Sequence, residues 1–469
     1  MPSSKITLLK TILFACVLAL FLSACSHKDT MDNFTNSYYS GDLQKAYRLA
    51  KENADGDDIV LWGMQAGIVG SQLEKKESYD LLDKSEQVFS QYEAQGLLSG
   101  VFDNVGAVIV NENVKTYRGN MYEGVLLNYY KALISMRNGE NALARVEFNR
   151  ANDRQRRAKD YFQKDIQKAL DSQREENSQD SNLSQVDSAH TASGVQSYLA
   201  QNYQSIKTFS AYKNFINPAV SYVSALFFLL ESDNAKALDL YKQAYGMSNA
   251  EIINQDIALM QERQRRVFKP RTWVIIEEGQ SPMKEELALN FPAYLVSSNV
   301  LHVGLALPKL TPGQSFYNDL NVSKDSKKLT KASLVADFEG VISNEFNEQL
   351  PFITTRAVSS AILKAVTQAT LGDQFGSLGS LAGLVYSAST TSADVRISSV
   401  LPYRIYALQI ENKKGVYELK NGLTTLLRFE IGEKCGGEDL VLCQKNDNIL
   451  YVRLRATSLS VQILRESMP

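Results

Sequence analysis

Small, large and small residues recur in this chain at the spacing that two packed helices demand, and this constrains the fold more than any other feature. Where consecutive helices touch, the first needs a small residue near its eighth position. The second then needs small, large and small residues at roughly positions 20, 24 and 27 of the pair. Pro218 to Tyr245 supplies Ala225, Ala237, Tyr241 and Ala244 in those places. Val125 to Asn152 supplies Ala132, Ala144, Phe148 and Ala151, with Gly139 at the turn. A third unit from Ile59 offers Trp62, Ala66, Ser78, Leu82 and Ser85, and a fourth near the start has Gly41 and Ala46 but Phe34 at the small site.

Ala46, Ser78, Ala144 and Ala237 head the second helices, and the first two intervals between them lie near one and two periods of about 34 residues. The spacing predicts an all-α, tetratricopeptide-like helical repeat domain over 25–266. A plain antiparallel bundle, whose contacts also favour alanine, is the alternative. Stacked helix pairs leave a concave face, so an envelope protein or peptide is expected in that groove. The stretch 171–197 has almost no apolar residues and is expected to be a solvated, low-complexity loop. Leu97 to Tyr122 carries Gly100, Gly106, Gly119 and Val108-Ile109-Val110 and reads as a hairpin or bent insertion. Arg154, Arg156, Arg157, Lys159 and Lys164 read as a solvated helix face.

Beyond Arg266 the period changes, and 267–469 is expected to be a mixed α+β domain of strands around central helices. Trp273 to Glu277 reads as a buried strand, followed by a turn at Glu278 to Pro282. Strands are expected at Glu286 to Phe291 and Asn299 to Leu307, bounded by Pro292, Pro308 and Pro312, and at Tyr403 to Glu411, Gly415 to Leu419, Leu426 to Ile431 and Ile449 to Leu464. The middle, Ser333 to Ser389, is helical by the recurrence of Phe346, Leu350, Ile353, Val358, Ile362 and Val366, with Pro351 expected to open a new turn. Arg356 and Lys364 would project from one helix face. Gly372, Gly376, Gly379 and Gly383 recur at intervals that allow close helix approach or a Gly/Ser loop. The apolar run Phe375 to Val385 is too short to span a bilayer.

The start of the chain reads as an address. Lys5 and Lys10 precede the apolar run Thr11 to Leu22, which ends at Ser23-Ala24-Cys25, so residues 1–24 are expected to be a signal peptide. Leu22-Ser23-Ala24-Cys25 resembles the bacterial lipobox. That resemblance implies cleavage before Cys25 and acylation of its thiol, and Ser26 in place of Asp implies sorting to the Gram-negative outer membrane. Two or three acyl chains, at roughly 0.8 kcal/mol per buried methylene, hold such a body on a membrane. Cys435 and Cys443 then remain as an even pair outside the cytoplasm, which predicts a disulfide across a Gly436-Gly437 hairpin, contributing about 2–3 kcal/mol.

The chain of 469 residues carries 50 Lys plus Arg against 52 Asp plus Glu, a formal charge of −2, so nucleic acid is not an expected partner. Three histidines (His27, His190, His302) give a metal centre little material, and neither metal nor cofactor is expected. Walker A, GxGxxG, HExxH and GxSxG patterns do not occur. SxxK at Ser210–Lys213 and Ser281–Lys284 and the triplet Ser232-Asp233-Asn234 lack a completing KTG and read as chance. Asp337, Glu339, Glu345 and Glu348 share one predicted helix. Two of them could act as acid and base on a glycan, though an exposed helix face explains them equally.

Tyr117-Arg118-Gly119 with Glu123, Ala144-Arg145-Val146-Glu147, Asn217-Pro218, Glu278 to Glu286, Leu350-Pro351 to Arg356-Ala357 with Lys364, and Leu401-Pro402 to Leu408 resemble a family of uncharacterised bacterial lipoproteins with tetratricopeptide-like repeats. Its relatives look like neighbours of penicillin-binding-protein activator lipoproteins. The chain departs from that pattern before Leu401, where Val395-Arg396-Ile397-Ser398-Ser399 replaces an Arg-Ser-Trp-like stretch. The resemblance implies no established enzymatic activity. The expected function is a non-catalytic scaffold that faces the periplasm and tethers or recruits an envelope protein. The alternatives are a structural subunit of an envelope ring or export apparatus, with oligomers formed through the glycine-spaced helix, and a cell-wall glycan hydrolase.

Overall fold

The computed structural model describes residues 29–99, 116–179, 215–265, 268–291, 303–434 and 440–467. The expected signal peptide, Cys25, Cys435 and residues 180–197 of the expected loop lie outside these residues. The architecture is mixed α plus β, with ten helices and three small sheets among the described residues.

Four helical hairpins come first. They are α1 (29–39) with α2 (Leu43–Asn53), α3 (Ile59–Gln72) with α4 (Ser78–Gln95), α5 (Met121–Arg137) with α6 (Asn141–Gln179), and α7 (Pro218–Leu230) with α8 (Asn234–Ser248). Local chemistry sets their starts. Asp42 accepts the Lys45 N–H at 3.0 Å, and Asn217 accepts the Ala219 N–H at 3.0 Å with Pro218 as first helical residue. Ala132, Ala144, Phe148, Ala151, Ala225, Ala237, Tyr241 and Ala244 are all buried between helices. Ala66 is buried too, but the closest approach of α3 to α4 falls on Gly63, Gly67 and Gly70. A Cβ on Gly67 would sit 2.4 Å from Leu82 Cγ.

Three expectations for this half are corrected. Residues 171–179 continue α6, because Gln, Arg and Glu extend an already nucleated helix at little cost. Arg154 is buried, bonding Glu86 at 2.6 Å and Glu93 at 3.1 Å, while Arg156, Arg157, Lys159 and Lys164 stay exposed. The groove along the first helices is filled: Val60–Ser71 of α3, Met121–Met136 of α5 and Pro218–Leu229 of α7 are buried at every residue, covered by the chain's own sheet.

That sheet follows α9 (Glu251–Gln264). It comprises β1 (Arg271–Glu278), β6 (Ser333–Asp337), β7 (Arg404–Glu411), β11 (Asp447–Leu454) and β12 (Leu459–Ser467), in the order β12-β11-β1-β7-β6. β1 runs parallel to β11, Trp273 opposite Ile449, and antiparallel to β7. Alternation along β1 sends Trp273, Ile275 and Glu277 to the helices and Val274 and Ile276 to a second five-stranded sheet. The latter holds β4 (Leu320–Lys324), β5 (Lys327–Lys331), β8 (Gly415–Asn421), β9 (Thr424–Gly432) and β10 (Val441–Cys443). The layers are therefore helices, sheet and sheet, and β1 reads as continuous apolar sequence because both its faces are covered. One core unites the helical residues with Trp273, Ile405 and Tyr451, so helix gives way to strand near 266 without a break in packing.

The remaining differences have local causes. Pro308 lies within β3 (Val303–Leu310), which pairs only with β2 (Lys284–Phe291), so its missing N–H breaks no central ladder. The run Ile449 to Leu464 is two strands, β11 and β12, joined by a turn with neither Gly nor Pro to mark it. β10 pairs with β9 in parallel, and the expected Gly436-Gly437 turn lies outside the described residues. Cys443 is disulfide-bonded and buried. The helix α10 (Phe338–Thr390) passes through Pro351, whose exposed ring faces solvent while Phe352 and Phe346 anchor the flanking turns. The glycine-spaced segment is part of that helix, so it is not a Gly/Ser loop. Among the described residues, no helix is long and apolar enough to cross a membrane.

Candidate functional site

A cavity of ≈ 170 Å³ opens where the helical half, the β2–β3 hairpin and α10 meet. One wall is α10, whose Gln349, Ile353, Arg356, Ser360 and Lys364 recur at three or four residues and so share a face. Arg356 and Lys364, paired by spacing in the sequence, reach this same cavity. Lys364 donates to Thr391 Oγ1 at 3.1 Å. A second wall is the segment Thr116 to Asn120 leading into α5, where Arg118 donates to the Gly96 carbonyl at 3.1 Å and lies over the Tyr92 ring. Lys284, at the start of β2, completes the rim, its ammonium 6.0 Å from the Phe346 ring centre.

The floor is a strap from Thr391 to Val400 that crosses the helical hairpins. Arg396 donates to both Asp58 oxygens, at 2.9 and 3.0 Å, and to both oxygens of Asp394, at 2.9 and 2.8 Å. Burial opposes charge on Asp394, but the Arg396 guanidinium outweighs it and holds the carboxyl below the usual range. Asp58 also accepts the Tyr117 N–H at 2.7 Å. Further along, Ser398 N–H donates to Glu123 and Ser399 N–H to Gln65, both at 3.0 Å. Glu123 in turn accepts the Asn120 N–H at 2.9 Å and the Tyr117 hydroxyl at 2.6 Å, fixing the start of α5.

Among the described residues that line the cavity, Arg118, Lys284, Arg356, Lys364 and Arg396 are basic and Asp394 is acidic, the last held by Arg396. Leu97, Leu305, Pro308, Phe352 and Ile353 supply an apolar side. Sequence reasoning singled out Arg356 and Lys364 but did not join them to Arg118 and Lys284, because these lie on other elements that only the tertiary fold brings alongside.

The expected carboxylate set is not brought together. Asp337 ends β6 and caps α10 through the Glu339 N–H at 2.9 Å, with Arg404 at 3.0 Å. Glu339 accepts the Gly313 N–H, and Glu348 is exposed. Glu345 is buried and accepts the Met121 and Tyr122 N–H groups at 2.7 and 2.9 Å, where α5 begins, and the Gln349 amide at 3.2 Å. An acid and base flanking one glycosidic bond do not arise from this arrangement. Of the SxxK pairs, Ser210–Lys213 lies outside the described residues, and Ser281 is buried beneath the turn that precedes Lys284. Ser232 occupies the α7–α8 turn with φ 62°, and Asp233 caps α8. All three histidines lie outside the described residues. Among those described, no group of three or more His, Cys, Asp and Glu side chains could hold a metal ion.

Glu345 makes stability depend on pH. Burial pushes its carboxyl up to about 8, against the Tyr122 and Met121 N–H donors, with Glu123 adding to the rise and Lys284 opposing it. The unfolded chain releases this proton near 4.5, so between 4.5 and about 8 the folded state holds a proton the unfolded state lacks. Stability therefore falls as pH rises across that window and levels above it. Urea titrations at pH 5 and pH 8 should show Glu345→Gln flattening this slope by on the order of a few kcal/mol. Asp256, raised by burial to about 7, adds a slope of the same sign that the variant leaves in place. An identical slope in both proteins would contradict the assignment.

No family model matches this chain, and neither a curated protein nor a solved structure matches it.

Proposed function

We propose that this chain is a non-catalytic outer-membrane lipoprotein, acylated at Cys25 and facing the periplasm, that recruits an envelope protein or peptide at the cationic cavity. The observation that carries the reading is the meeting of Arg118, Lys284, Arg356 and Lys364 at one concave site, from segments far apart in sequence. These are also residues through which the chain resembles the envelope lipoproteins. The helical hairpins are read as divergent tetratricopeptide units whose inner face is used to hold the β-sheet, which leaves recruitment to the cavity rather than to a groove.

Leu22-Ser23-Ala24-Cys25 supports the anchor. Four residue steps separate Cys25 from the first described helix, at most about 14 Å of extended chain. The body would ride close on the bilayer. Palmitate labelling and membrane fractionation test this: the wild type should carry label and pellet with outer membranes, and Cys25→Ala should lose the label and become soluble. Crosslinking from intact envelopes should enrich a periplasmic protein with the wild type over Cys25→Ala. A wild type without label, or one that enriches nothing over that control, removes the reading.

A further inference from the structure

Lys364 Nζ donates to Thr391 Oγ1 at 3.1 Å, although a straight helix rising about 1.5 Å per residue would hold these two positions about 40 Å apart. The helical backbone of 365–390 therefore leaves the body and comes back to it, reaching no further than about 20 Å from its base. A Cβ on Gly304 would sit 3.3 Å from Thr391 Cγ2, so that base lies against β3.

We propose that this excursion of α10 dips into one leaflet of the bilayer, as a second membrane contact beside the lipid at Cys25. It rests on the lipoprotein reading for the presence of a membrane, though not for the acyl chains. Of residues 365–390 only Asp373 is charged, whereas a chain that is 22% charged would place about six such residues there. A helical excursion bathed in water carries charge on its outer side, and this one does not. Gly372, Gly376, Gly379 and Gly383 stand in the same helical backbone, where glycine is the poorest former after proline. Water competes for backbone groups that glycine leaves uncovered, while hydrocarbon offers them no other partner and so keeps the helix closed.

Placement selects the bilayer as the occupant. Gln65 Nε2 lies 3.9 Å from Met31 Sδ, and Gln72 Nε2 donates to the Tyr38 hydroxyl at 3.0 Å, so α1 runs parallel to α3. α3 starts beside Asp58, which accepts the Tyr117 N–H, and α5 starts where Glu345 of α10 accepts its first N–H groups. The start of α1 and the part of α10 that feeds the excursion thus share one end of the helical layer. Residues 25–28 lead from that end to Cys25. A second copy of the chain would account for the small residues, but not for their position at the anchored end. Reach sets the depth: about 20 Å falls short of the hydrocarbon core of about 30 Å, so the excursion enters one leaflet without crossing.

Tryptophan fluorescence of the full-length lipidated chain in phosphatidylcholine vesicles, with and without lipids brominated along their acyl chains, tests the inference. Trp62 and Trp273, at most 1% exposed, give a background that bromine should leave unchanged. Tyr386→Trp should add emission that brominated vesicles quench by about half or more. Leu378→Trp gives the same comparison should Tyr386→Trp misfold by circular dichroism. Asn138→Trp, exposed at the opposite end of α5, should show no quenching. Equal emission in plain and brominated vesicles from the excursion variants, or equal quenching of Asn138→Trp, would overturn the inference. Should the excursion tryptophans escape bromine while Leu381→Cys crosslinks pairs of chains, a second copy covers the excursion in place of lipid. Palmitate labelling without quenching removes the excursion and leaves the lipoprotein reading standing, and quenching without palmitate does the reverse.

Discussion

Replacing Glu277 by alanine is expected to destabilise the chain by about 3–5 kcal/mol or more. Glu277 is 0% exposed near the C-terminal end of β1, on its helix-facing side. Its carboxylate pairs with Arg455 at 3.0 Å and Arg453 at 3.4 Å, and accepts the hydroxyls of Tyr130 at 2.8 Å and Tyr451 at 2.6 Å. Burial raises its carboxyl, but the two guanidinium groups outweigh that and hold it below the usual range, so it is the charged form that the core is built around. Alanine would leave two cations buried without a counter-charge and two tyrosine hydroxyls without an acceptor, which costs more than the pair itself contributes. Glu277→Gln keeps one acceptor oxygen and should lie between. Urea denaturation followed by circular dichroism checks this, and a loss under about 1 kcal/mol for the alanine variant would show that water reaches the cluster.

Arg396→Ala is expected to cost about 3–5 kcal/mol for the same reason with the signs reversed, leaving Asp58 as a buried anion and the partly exposed Asp394 without its guanidinium partner. It also tests whether the two halves unfold together. Trp62 lies in α3 and Trp273 in β1, both at most 1% exposed, and they are the only tryptophans in the chain. Single-tryptophan variants therefore report each half separately. Because one core runs through both halves, the two signals should share one urea midpoint, and Arg396→Ala should shift both by the same amount. Separate midpoints would mean that the halves are independent units and that the Asp58–Arg396 bond is only a local clamp.

The difference between what was legible and what was not follows from the range of the interactions. Alanine at fixed intervals and turn residues such as Gly139 predicted four helical hairpins where hairpins stand, because these preferences act within two helices and one turn. β1, β7, β8 and β9 were legible from apolar and β-branched runs. β4 and β5 were not, since the alternation Leu320 to Ser323 is only four residues long, β5 is mostly lysine, and their turn at Asp325-Ser326 adopts positive φ at both residues without a glycine. Residues 171–179 were misread because polarity resembles a loop while helix propensity says otherwise.

By itself, the sequence determined the helix pairs, the change of period near 266, the strongly apolar strands and the shared face of Arg356 and Lys364. Each is written in neighbours within a few tens of residues. Only the tertiary structure decided that the inner helices are covered by the chain's own sheet. It alone brought Arg118 and Lys284 to the same cavity, and scattered the Asp337 to Glu348 carboxylates into a cap, a surface group and a buried acceptor. Those outcomes depend on which distant surfaces exclude water together, and no local period records that choice.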